Sequence, residues 1–264
     1  MNKTLVLLGA LLSAAVLIAT PAIAQQNAPP MPAPVVELYG CKFNANKGMN
    51  DLHAVTTRWN TWADKNKMTD YSAFIATPFL HSADLPNDVV WLGAWPNAAA
   101  MARDAALSQT KEGREIDAAF DAVGPCASHA LYAELVIRRP KSPPPANGVA
   151  VFRDCTVRDG RTVSEAITAM GQVAGYMTGR GSEAFNAFLF PLAGLPNNAH
   201  YTFKEVVGFG SMDAFGKDLD VYTAGGFQRF EELLGRVIDC NSARVYTLER
   251  ARQAAEPPAP AGAR

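Results

Sequence analysis

The sequence predicts an α+β fold in which one β-α-β-β-α-β unit occurs twice. Three observations lead there. Apolar runs of strand length alternate with stretches of helical spacing in that order. The four cysteines form two pairs: Cys41 and Cys126 are 85 residues apart, as are Cys155 and Cys240, and a shift of 114 carries one pair onto the other. A Pro-rich stretch at 140–147 separates the two units.

Residues 1–24 read as a secretory signal, with Lys3 ahead of an apolar run and Ala22-Ile23-Ala24 as a cleavage site. An uncleaved anchor is the alternative, for which the run is only just long enough. Residues 25–34, rich in Pro and Ala, form an extended leader. The first unit spans 35–139. Its strands are 35–43, 71–80, 88–95 and 130–138. Leu52, Val55, Trp59 and Trp62 give helical spacing after Asn50, a plausible N-cap. A second helical region starts at Ala98 and extends, or breaks and resumes, as far as Val123.

The linker at 140–147 is stiff and polyproline-like. The second unit, 148–252, repeats the six elements, with a helical break near Gly225-Gly226. Residues 253–264 form a disordered tail. No gap is needed to align the units, and Phe74/Phe188, Asp104/Asp218 and Tyr132/Tyr246 are identical across the shift, which points to a tandem duplication. The order is that of a ferredoxin-like unit. Its first and fourth strands are antiparallel neighbours, which pairs Cys41 with Cys126 and Cys155 with Cys240.

The formal net charge is −1 with the charges dispersed, so no basic stripe argues for nucleic acid. After signal cleavage no segment is apolar enough to enter a membrane. Four cysteines in an exported chain favour disulfides and a periplasmic or secreted location. His53, His81, His129 and His200 lack zinc spacing, so no metal is expected. No phosphate-binding glycine loop and no G-x-S-x-G occur.

This layout, over almost all of 35–252, resembles the dimeric α/β-barrel superfamily, which includes antibiotic-biosynthesis-type monooxygenases, stress-responsive barrel proteins and NIPSNAP-like proteins. The resemblance implies two sheets packed face to face as a barrel with helices outside, here a pseudo-dimer within one chain. It also raises a cofactor-independent oxygenase-like activity on an aromatic substrate, and a haem ligand role for His53. No catalytic motif carries over position by position, and no cofactor is otherwise expected.

Candidate site residues follow from polar groups on apolar strands and from aromatics. Glu37 and Glu134, on neighbouring strands, are an acid–base pair if they share a cavity and edge or ion-paired groups if they do not. His53 is a pocket acid–base group or a satisfied, partly buried histidine. Trp59, Trp62, Trp91 and Trp95, with Tyr39, either cradle a planar ligand or form core. All four tryptophans lie in the first unit, which places any such cavity there. The first expectation is an exported small-ligand-binding or interaction protein. The alternative is the oxygenase-like enzyme. Oligomeric state is left open.

Overall fold

In the computed structural model, described over residues 32–255 except 84, 143 and 144, the strands run β1 (Val35–Cys41), β2 (Ser72–Leu80), β3 (Val89–Trp95), β4 (Cys126–Arg138), β5 (Asn147–Val157), β6 (Phe185–Ala193), β7 (Phe203–Phe209), β8 (Ile238–Cys240) and β9 (Arg244–Arg252). The helices are α1 (Met49–Lys65), α2 (Ala98–Ser108), α3 (Lys111–Asp121), α4 (Val163–Thr178) and α5 (Met212–Val221), after which the chain stays largely helical, with wide turns, to Gly235. The proposed signal sequence lies outside the described residues, as do most of the leader and of the tail.

All the strand pairings are antiparallel. The first four strands lie in the order β4-β1-β3-β2. β5, β6, β7 and β9 lie in the order β9-β5-β7-β6. The two runs meet edge to edge, β2 against β9 and β4 against β6, and so close an eight-stranded barrel. Closure removes the unpaired edges that an open sheet would expose. Short β8 continues the line of β9 along β5.

Alternation sorts the strand residues into two faces. Val36, Phe152, Leu189 and Val206 pack inside the barrel. Leu52 and Val55 of α1 pack with Ile75 and Val89 on the outer face of the first half, and Met170 and Val173 of α4 pack with Phe188 and Phe203 on that of the second. The disulfides Cys41–Cys126 and Cys155–Cys240 form as expected, each closing a loop of 85 residues. Each constrains the unfolded chain by about 4–5 kcal/mol in the loop-entropy view.

Local differences from the sequence reading have local causes. β4 starts at Cys126, because the disulfide holds that end beside Cys41. β2 runs through Pro78, where the register with β9 shifts and a missing N–H is tolerated. α1 starts after Gly48, whose N–H donates to Asp51 Oδ2 at 3.1 Å, two residues ahead of the expected Asn50 cap. Thr110 caps α3, dividing the second helical region in two. The break near Gly225 is present, with that glycine at φ +105°, a conformation a side chain would strain.

Candidate functional site

Glu37 is in the middle of β1 on the face that meets the helices, and it is buried. A carboxylate there needs hydrogen-bond donors. Tyr71, one residue before β2, donates its hydroxyl to Glu37 Oε1 at 2.5 Å. His129 Nε2, on β4, lies 3.0 Å from Oε2. Trp91 on β3 donates its indole N–H to the Tyr71 oxygen at 2.7 Å. A continuous hydrogen-bonded chain therefore runs from Trp91 through Tyr71 and Glu37 to His129.

Gly93 makes this chain possible. It stands opposite Glu37 on β3, and a Cβ there would come within 1.9 Å of the Tyr71 oxygen. Only glycine lets the phenol cross the strand to the carboxylate. Trp95 and Trp59 hold the phenol ring, with centroids 4.4 and 5.7 Å away.

The outer end of the chain is accessible. The His129 side chain is 50% exposed, against 9% for Glu37. The imidazole stacks on Tyr39 at 3.7 Å, with the planes 12° apart. Burial, then the charge of Glu37, pushes the Tyr39 and Tyr71 phenols well above the usual tyrosine range. Both stay protonated, so Tyr71 acts as a donor to Glu37. A buried carboxylate that fixes Nε2–H of a half-exposed imidazole leaves Nδ1 as the proton acceptor and stabilises the imidazolium that forms.

Glu134 does not join Glu37. Val36 is opposite Tyr132 and Glu37 opposite Leu131, so Glu134 shares the inward face with Tyr132 while Glu37 faces the helices. Burial raises the Glu134 carboxyl above its ordinary value. His53 is also apart. Its Nε2 lies 3.0 Å from Glu249 Oε2, and its side chain is 42% exposed. Glu249 lines an open cleft of about 450 Å³ with Ile75, Thr77 and Thr247. With Nε2 held by Glu249, Nδ1 is the open nitrogen of the His53 ring.

The tryptophans divide the role expected of them. Trp59 and Trp95 are buried and pack with Ala63, Met68, Tyr71 and Ile116. Trp91 meets Trp59 and Phe120 edge to face. Trp62 packs against the same cluster. These rings are core that positions Tyr71, and Trp91 and Tyr39 alone touch the chain's polar groups. Among the described residues, the one group of possible metal ligands is Cys155, Glu205 and Cys240, and its cysteines are joined in a disulfide.

His129, Tyr71 and Gly93 were not singled out from the sequence. Little in the sequence marks His129. Antiparallel counting from the Cys41–Cys126 pair sets Ser128 beside Tyr39, and the bulge between Gly40 and Cys41 shifts His129 into that place.

No protein-family model matches the chain, and no curated protein does either. Solved structures share its fold. A candidate monooxygenase from Fusobacterium nucleatum superposes with a TM-score of 0.57 at 10% identity, over 84% of this chain and 94% of its own. A candidate monooxygenase from Lactobacillus acidophilus gives 0.53 at 8% identity, over 83% and 95%. A candidate chlorite dismutase gives 0.53 at 10% identity, over 84% and 96%. The fold is therefore that of the dimeric α/β-barrel proteins. The two disulfides fit an oxidising compartment. No described helix is long and apolar enough to cross a membrane.

Proposed function

We propose that this chain is an exported protein that binds a small aromatic molecule with an acidic proton, on a frame of two tandem ferredoxin-like repeats. The Glu37–His129 pair carries this reading. A buried carboxylate orients a half-exposed imidazole, and the imidazole is stacked on Tyr39. A flat ring extends that stack, and its acidic group hydrogen-bonds His129. Residues 1–24 and the disulfides support export.

The same pair favours one further reading, an oxygenase-like enzyme without a cofactor. In it, His129 Nδ1 takes the ligand's proton, Glu37 stabilises the imidazolium, and the electron-rich anion that results reacts with dioxygen. The names of two solved relatives support this reading at the level of fold.

The test is titration of tryptophan fluorescence with phenolic acids and hydroxyquinones, since Trp91 ends the hydrogen-bonded chain. Binding is expected, weakened about tenfold in His129→Ala, the loss of one charge-assisted hydrogen bond. Equal affinity in wild type and variant overturns the site. Oxygen uptake with a bound compound, lost in His129→Ala, selects the enzyme. Binding without uptake selects the binding protein.

A further inference from the structure

In the second half, polar groups gather on the inward face, at one end of the barrel. Phe152 packs inside with Val36 and Val206. By alternation Asp154 on β5 and Lys204 on β7 share that face, and Arg244 on β9 is opposite Phe152. Asp154 and Lys204 are cross-strand partners joined as an ion pair. Arg244 Nη2 is 2.9 Å from Asp154 Oδ2. Asn241 donates to that oxygen at 3.3 Å and accepts from the Asp154 N–H at 2.8 Å. Lys204 Nζ lies 4.5 Å from the Tyr201 ring centre, and the Tyr201 and Tyr132 hydroxyls are 3.0 Å apart.

Two cations here meet one carboxylate. The Lys204, Asp154 and Arg244 side chains are only 14%, 18% and 21% exposed. Among the described residues, Arg244 Nε is buried and donates to no acceptor. A buried N–H left so costs about 1–3 kcal/mol. Such a group calls for a partner that completes it. Burial pulls the Lys204 ammonium below its ordinary value, and Asp154 only partly offsets this. An open cleft of about 550 Å³ adjoins the cluster, with Asp154, Tyr201, Asn241 and His200 among its walls. Asp239, its other acid, has Arg158 3.8 Å away. The local excess is one positive charge.

We propose that this end of the barrel is a binding site for a small oxyanion, a carboxylate or a phosphate. The Arg244 guanidinium and the free N–H groups of Lys204 supply charged donors, and the Tyr201 hydroxyl and Asn241 amide supply neutral ones. A guanidinium presents a planar fork that matches an oxyanion, which an ammonium alone does not. The site is independent of the Glu37–His129 pair, being on the other face of the sheet and in the other half.

Calorimetric titration of the mature protein with acetate and, separately, with inorganic phosphate tests it. At least one is expected to bind with a Kd of about 1 mM or tighter. Binding of acetate alone assigns an organic carboxylate, phosphate alone a phosphate group, and both a general oxyanion seat. Arg244→Gln is expected to weaken binding about tenfold. Lys204→Met, checked by its thermal melt, provides the same test should Arg244→Gln fail to fold. The proposal is overturned if neither anion binds at tens of millimolar, or if a folded variant binds as the wild type does.

Discussion

Under the helices of the first half stand Glu37, Gly93 and Tyr71. The residues 114 further on are Val151, Val207 and Phe185. Inside the barrel the contrast reverses: Gly40, Val90 and Ala130 in the first half correspond to Asp154, Lys204 and Arg244 in the second. Each half thus has a polar cluster that the other lacks, and these two clusters are on opposite faces of the sheet. The buried acids differ in the same spirit. Glu37 is held by neutral donors and a histidine, whereas Glu205, at the position of Trp91, has Arg153 Nε 2.7 Å from Oε2. A carboxylate satisfied by Tyr71 and His129 orients an imidazole whose other nitrogen is open to exchange a proton. One paired with a guanidinium is locked, because arginine does not give up its proton.

Breaking the locked pair is expected to have the largest effect. Arg153→Met leaves Glu205, only 4% exposed, without its cation. That should cost about 3–5 kcal/mol in denaturant unfolding, and Arg153→Met with Glu205→Leu should recover most of it. A double variant as unstable as the single one would show that Arg153 contributes by packing, and the contrast between the acids would lose its basis.

Gly93→Ala comes next. The new Cβ collides with the Tyr71 hydroxyl, so a loss of about 1–3 kcal/mol is expected. The near-ultraviolet dichroism of the Trp91–Tyr71 contact should change with it. Val207→Ala at the corresponding site has no such phenol to displace and should leave that spectrum unchanged. A silent Gly93→Ala would mean that the phenol reaches Glu37 without the gap.

The smallest effect belongs to Glu134→Gln. Burial raises the folded carboxyl above the ordinary 4.5. Above the folded value both states are ionised, and the folded state alone bears the cost of a buried charge. Below 4.5 both are neutral and the cost is absent. The variant should therefore melt slightly higher than wild type at neutral pH, and the gain should fade as pH drops through that value. A gain that persists in acid would assign the effect to something other than the charge.

Much of the frame was legible because it rests on local and repeated signals. Strand and helix order followed from periodicity, and the disulfides followed from that order and from two equal spacings. The site was legible only in part. Glu37 stood out as an acid in an apolar strand, but its pairing with Glu134 failed because one residue of register decides the face. His129 lies just ahead of the strand expected at 130–138, and only the bulge between Gly40 and Cys41 sets it opposite Tyr39. Arg244 gave no sign at all, since nothing near it in sequence marks it as inward-facing.

By itself, the sequence determined the succession of elements and the cysteine partners, since each depends on hydrophobic spacing along the chain and on which strands of a unit are neighbours. Only the tertiary structure decided that the two runs close edge to edge, that Gly93 admits Tyr71 to Glu37, and that Lys204 and Arg244 converge on Asp154. These depend on register between strands far apart in the chain, and on the room left by an absent Cβ. Neither leaves a pattern within any one segment.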